Sequence, residues 1–270
     1  MAKRRKIPGR SVVSNKYDKY LKRMVHDPEN YKPSPWSDHW RNDLIDFGTE
    51  GHWLLKKIND EKLPGLKHRV WGLGDTTILD KPFIVAFTGR NWKVPPEEVE
   101  IGKEMVIRMA EMGIVVIHGN SKGVERASGR KLREKKGKQI IVPYYGMLQF
   151  KARYYSKMSY AVEHGHVLVL SPFTVFEPWR QRNTEKRNIF IADLADALIA
   201  VQVTDENGGG DLAKKMLARD KPVYLLHREG VEGYLAEDHE YFKQKGAKLF
   251  KLHQLDFILR EIKEKVGYKT

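Results

Sequence analysis

The sequence contains no cysteine. That excludes disulfides, thiolate metal sites and a thiol nucleophile. No apolar run is long enough to span a bilayer. The opening Met1-Ala2-Lys3-Arg4-Arg5-Lys6 has the charge of a secretory signal without the apolar stretch, so a cytoplasmic setting is expected. No H-E-x-x-H occurs, and the histidines show no ligand spacing with carboxylates, so no metal is assigned. No G-x-S-x-G elbow occurs, which argues against a serine hydrolase. Neither a Walker loop nor G-x-G-x-x-G is present. No cofactor and no catalytic residue are assigned.

Negative charge is also short: 35 Asp and Glu face 49 Lys and Arg, a formal net charge of +14. Such a balance attracts polyanions with salt-dependent affinity. The excess is clustered. Residues 1–34 hold ten Lys or Arg and three Asp or Glu; residues 121–138 hold eight and two. Clustering favours a binding footprint over a uniformly basic surface.

What is present is a repeated strand–turn–helix pattern. Phe83-Ile84-Val85-Ala86-Phe87 runs into Thr88-Gly89-Arg90, then a helical pattern from about Pro96 to Met112. Ile114-Val115-Val116-Ile117 runs into His118-Gly119-Asn120-Ser121-Lys122-Gly123. Further apolar runs follow at 139–142, 166–170, 198–201 and 222–226, with a possible short strand at 247–250. Continuous apolar strands alternating with helices indicate an α/β fold: a Rossmann-like, mainly parallel sheet with helices on both faces. Ligands of such sheets bind beyond the carboxyl ends of the strands, where both glycine turns are expected. Glycine lets backbone N–H groups approach an anion, and a helix N-terminus favours its charge.

Composition divides the chain into a basic flexible arm at 1–35, a small helical lead-in at 36–80 and the Rossmann-like domain at 81–270. A short helix from Lys16 to Val25 and two helices within 36–66 are expected. Lys122, Arg126, Arg130 and Arg133 form one stripe on the helix after Gly123. Tyr144 to Tyr160 interleaves aromatics with Lys151, Arg153 and Lys157, a pattern suited to single-stranded nucleic acid. The loop 171–187 is expected to deliver Arg187-Asn188 to the start of a helix at Ile189–Ala195. Asn207-Gly208-Gly209-Gly210-Asp211 is a third anion-type turn.

These residues resemble the DprA/Smf family of DNA-processing proteins over about residues 62–260. Phe83 to Arg90 resembles that family's strand ending in Gly-Ser-Arg. His118 to Ala127 resembles its Ser-Gly-x-Ala-x-Gly-Ile-Asp segment, and Arg187 to Gln202 its Arg-Asn-Arg helix and following strand. Gly129 departs from a histidine usual in the family. The resemblance implies a homodimer that binds single-stranded DNA without sequence preference and helps load a RecA-type recombinase, with no catalytic step. Arg90, and Arg153 or Lys157, would then contact phosphate, and Arg187 and Asn188 would shape the pocket. Gly89, Gly119, Lys122, Gly123, Arg126, Gly208 and Gly209 complete the expected site. A nucleotide-binding sensor of the same superfamily is the first alternative. A phosphoribohydrolase-like enzyme cleaving an N-glycosidic bond is the second, with Glu125 as its only candidate acid.

Overall fold

A computed structural model of the chain describes residues 44–47, 70–80, 83–228 and 234–265. Nine strands among these residues form one sheet: β1 (Ile45–Asp46), β2 (Trp71–Gly74), β3 (Ile84–Thr88), β4 (Val115–His118), β5 (Gln139–Ile141), β6 (Val167–Ser171), β7 (Ala197–Ala200), β8 (Val223–Leu226) and β9 (Lys248–Phe250). Their spatial order is β1-β2-β6-β5-β4-β3-β7-β8-β9. From β6 to β9 every pairing is parallel. β2 and β1 add an antiparallel edge. The chain builds outward from β3 in one direction through β4, β5 and β6. It then returns to the other side of β3 for β7, β8 and β9. The order therefore reverses between β3 and β7, and a crevice opens there beyond the strand ends.

Helices cover both faces. The helices on one face are α1 (Pro96–Glu111), α2 (Val124–Glu134), α3 (Met147–Tyr154), α4 (Ser159–Glu163) and α8 (Leu255–Lys265). Those on the other are α5 (Asn183–Leu194), α6 (Gly208–Leu217) and α7 (Tyr234–Gln244). The central strands are buried residue by residue, which is why they read as unbroken apolar runs. Successive residues feed opposite cores: Val85 and Phe87 pack with Met105 and Leu259, Ile84 and Ala86 with Phe190 and Met216.

The expected Rossmann-like sheet is present. Two local expectations are corrected. α5 begins at Asn183, not Ile189, so Arg187 and Asn188 lie inside the helix instead of at its start. Its first four residues, Asn183 to Lys186, are polar and give no apolar signal. Within the expected lead-in helices, Ile45–Asp46 is an edge strand on β2. Apart from 44–47, the stretch 36–66 lies outside the described residues, as do the helix at 16–25 and the arm at 1–35.

Candidate nucleic-acid interface

Three glycine turns meet at the β3–β7 crevice. Gly89 and Arg90 leave β3; Gly119 to Gly123 join β4 to α2; Asn207 to Gly209 open α6. The first two are locked together. Val124 N donates to Arg90 O at 3.2 Å. Gly123 adopts φ 93°, and a Cβ there would lie 2.5 Å from Arg90 O, so two backbones touch where no side chain fits. Glu125 ties the floor: Thr88 Oγ1 donates to its Oε1 at 2.7 Å, and Ser121 N donates to its Oε2 at 2.9 Å. Both oxygens of the one candidate acid are thus engaged in holding the turns. Asn207 caps α6, its Oδ1 accepting from Gly210 N at 2.8 Å, so the helix dipole points at the crevice.

Arg187 sits between the turns. It is 3% exposed. Its Nη1 lies where a side chain at Gly119 would stand, 1.3 Å from an ideal Cβ, and its Nη2 is 3.8 Å from the corresponding point at Gly208. The guanidinium lies over the Tyr144 ring at 5.8 Å. Nη1 donates to Ser121 Oγ at 3.5 Å, and the buried Nε has no partner. Among the described residues no carboxylate forms an ion pair with it. The Asn188 Nδ2 donates to Gly208 O and to Asp211 Oδ2, both at 2.7 Å, and positions the α6 turn from behind.

Arg90 is placed differently. Its Nε is 3.7 Å from Glu98 Oε2 at the start of α1, and its Nη1 donates to Lys93 O at 3.4 Å. Glu98 is buried and also faces Arg228 at 3.7 Å. Burial pushes the Glu98 carboxyl up, and Arg90 and Arg228 pull it part of the way back. A phosphate at Arg90 would have to compete with this carboxylate.

Beside the crevice runs a groove of about 1070 Å³ between α2 and the α3–α4 segment. Gly123, Arg126, Arg130, Arg133 and Lys157 line it, with Tyr154 and Tyr160. Arg126 lies over the Tyr154 ring at 5.4 Å. Burial, and then the neighbouring Arg130, bring Arg133 down to about 10. Lys122 is exposed on the turn. Arg153 is exposed and lies over the Tyr145 ring at 5.9 Å, and it is not among the residues that line the groove.

The expected residues thus form two groups: Gly119, Arg187, Asn188, Gly208 and Gly209 around the crevice, and Gly123, Arg126 and Lys157 along the groove. Gly89 packs against Val124, where a Cβ would lie 2.8 Å from the valine Cβ. The sequence reading passed over Trp92 and Asn120. Trp92 is 69% exposed beside Arg90, and Trp179, 49% exposed, stands edge-on to Tyr144 at 6.2 Å. Exposed tryptophans flanked by cations are the signal that could have found the first. The fit of Arg187 to Gly119 carries a direct expectation. Gly119→Ala evicts the guanidinium from its seat, so oligonucleotide affinity should fall roughly tenfold, the worth of about one good contact. Fluorescence-anisotropy titration of folded protein checks this, and unchanged affinity would detach Arg187 from the ligand.

The family model for DNA recombination-mediator protein A matches residues 56–263. No curated protein matches in sequence. DNA processing protein A from Streptococcus pneumoniae is similar in fold, with a TM-score of 0.65 and 17% identity, over 92% of this chain and 93% of that one. The same protein from Helicobacter pylori, described with a unique single-stranded DNA binding mode, gives 0.64 and 17%, over 81% and 96%.

Proposed function

We propose, for a chain that belongs to the DNA recombination-mediator protein A family, that this protein binds single-stranded DNA at the β3–β7 crevice as an accessory factor in DNA processing. The Helicobacter pylori relative's single-stranded DNA binding supports the choice of ligand. The observation that carries the reading to named residues is Arg187. A buried guanidinium without a carboxylate partner is expensive unless an anion completes it. Gly119 makes room for the guanidinium itself, Gly208 leaves space beside it, and the start of α6 adds its dipole. Phosphate matches all three features.

Bases then find surfaces around the phosphate. Trp179, Tyr144 and Trp92 offer stacking faces, and Lys122, Arg126 and Lys157 follow the backbone. Among the described residues no helix is long and apolar enough to cross a membrane. We further propose that the protein acts as a homodimer in the cytoplasm and presents the strand to a RecA-type recombinase.

The test is binding to single strands, duplexes and mononucleotides across a salt series. Single strands should bind more tightly than duplex, with affinity falling steeply as salt rises. Tight, salt-insensitive capture of a mononucleotide would replace this reading with a nucleotide sensor.

A further inference from the structure

We infer that Asn120 engages the Watson–Crick edge of an unpaired nucleobase and thereby carries the preference for single strands. This rests on the nucleic-acid reading and assigns its selectivity to one residue. Asn120 is 4% exposed and lines the groove beside α2. Neither its Nδ2 nor its Oδ1 has a hydrogen-bond partner. Buried polar groups are almost always paired, so an amide orphaned at both atoms calls for a ligand.

Its backbone cannot relax to find one. Asn120 adopts φ 55°. Its N–H donates to His118 Nδ1 at 3.0 Å. Its carbonyl accepts from Arg126 Nε at 3.4 Å and Nη2 at 3.2 Å. The amide is therefore held at the groove wall from both sides. Around it the groove combines Tyr154, Met158 and Ala161 with the cations Arg126, Arg130 and Lys157. Apolar surface for a ring and cations for its phosphate stand in one cleft. The Arg126 bonds to the backbone Asn120 O are long, so this guanidinium can share its donors with an arriving phosphate.

The chemistry explains selectivity without sequence preference. A carboxamide presents one donor and one acceptor side by side. Every nucleobase has an adjacent donor and acceptor on its Watson–Crick edge, and a half-turn of the amide exchanges the two. Any unpaired base is accepted. In a duplex the same edge is occupied by the opposite strand. Phosphate contacts alone give no such distinction, because both forms carry phosphates.

The experiment compares wild type, Asn120→Ala and Asn120→Leu on a single strand, its duplex and a strand of abasic residues. Wild type should bind the ordinary strand more tightly than the abasic one by well over tenfold, about tenfold from the Asn120 contact and the rest from stacking. Both variants should narrow that margin roughly tenfold and leave duplex affinity unchanged, so the single-to-double ratio falls by the same factor. Leu keeps nearly the shape of Asn without its donor and acceptor and adds no charge, which guards against a folding artefact. A ratio unchanged in both variants, with or without a lower melting temperature, overturns the inference and makes the amide structural. Equal wild-type affinity for ordinary and abasic strands overturns it too. Failure of wild type to bind any single strand instead removes the nucleic-acid reading beneath it.

Discussion

Replacing Arg187 with methionine should abolish tight binding of single strands and leave a fold at least as stable. The two effects have opposite signs because the guanidinium is an unbalanced charge. It is nearly fully buried, and its Nε is unpaired. Replacing buried ionic groups by apolar ones of similar volume is often neutral or stabilising by about 1–4 kcal/mol. Methionine fills the channel over Tyr144 with a flexible apolar chain. Binding loses the central phosphate contact. Truncating one side of a buried charge pair costs about 2–5 kcal/mol, roughly 30-fold at the lower bound. Arg187→Lys should recover only part, since a point charge replaces a planar fork. Calorimetric melting and anisotropy titration read the two effects separately. A variant that melts much earlier and binds normally would make Arg187 a structural tie between β4 and α5.

Removal of residues 1–34 should produce the other large change, in the dependence on salt. The segment carries ten Lys or Arg against three Asp or Glu. Binding to a single strand weakens with salt by about 0.7 logarithmic units per neutralised phosphate. Seven net charges therefore contribute a slope of up to about 5. A rise from about 50 to 200 mM would cost the intact protein up to roughly three decades more than the truncated one. The deletion removes none of the residues that form the sheet and its turns. If the groove and crevice carry the preference for single strands, it should survive. An unchanged slope would show that the arm stays off the strand. Loss of the preference would move recognition into the arm.

The parallel sheet was legible because its central strands are buried on both faces. Val85, Val116 and Ile199 have apolar neighbours on either side in sequence for the same reason that they have apolar neighbours above and below in space. The glycine turns were legible because turn chemistry is local. The edge strand at Ile45 was not, since two residues carry no periodicity and only β2 makes them a strand. The early start of α5 was hidden by four polar residues whose partners lie elsewhere in the chain: Asn183 Nδ2 donates to Tyr144 O and Pro178 O, each at 3.2 Å, and Glu185 faces Lys215 at 3.9 Å. Cations are visible in sequence, but their counter-charges are not. The sequence reading assigns Arg90 a phosphate contact at a strand end and Arg187 a pocket-shaping place at a helix start. Arg90 faces Glu98, eight positions away, and Arg187 faces no carboxylate among the described residues. Spacing along the chain contains nothing that shows which of them is paired.

The close approach of His118 to Gly129 has a consequence for how this chain could have diverged. His118 Nε2 lies 2.9 Å from Gln139 Oε1, and Gln139 Nε2 donates to Gly129 O at 3.2 Å. A Cβ on Gly129 would lie 2.7 Å from the same imidazole nitrogen. In the resembled family a serine stands at the strand end and a histidine on the helix. Here the ring enters from the strand, and the helix has given up its side chain to admit it. The two positions are therefore epistatic. Restoring histidine at 129 alone drives two rings into one volume, and restoring serine at 118 alone leaves a buried hole beside Gln139. A lineage crossing between these arrangements must pass through an overfilled or an underfilled intermediate. Comparing the columns one at a time would score two losses where the protein has made one exchange.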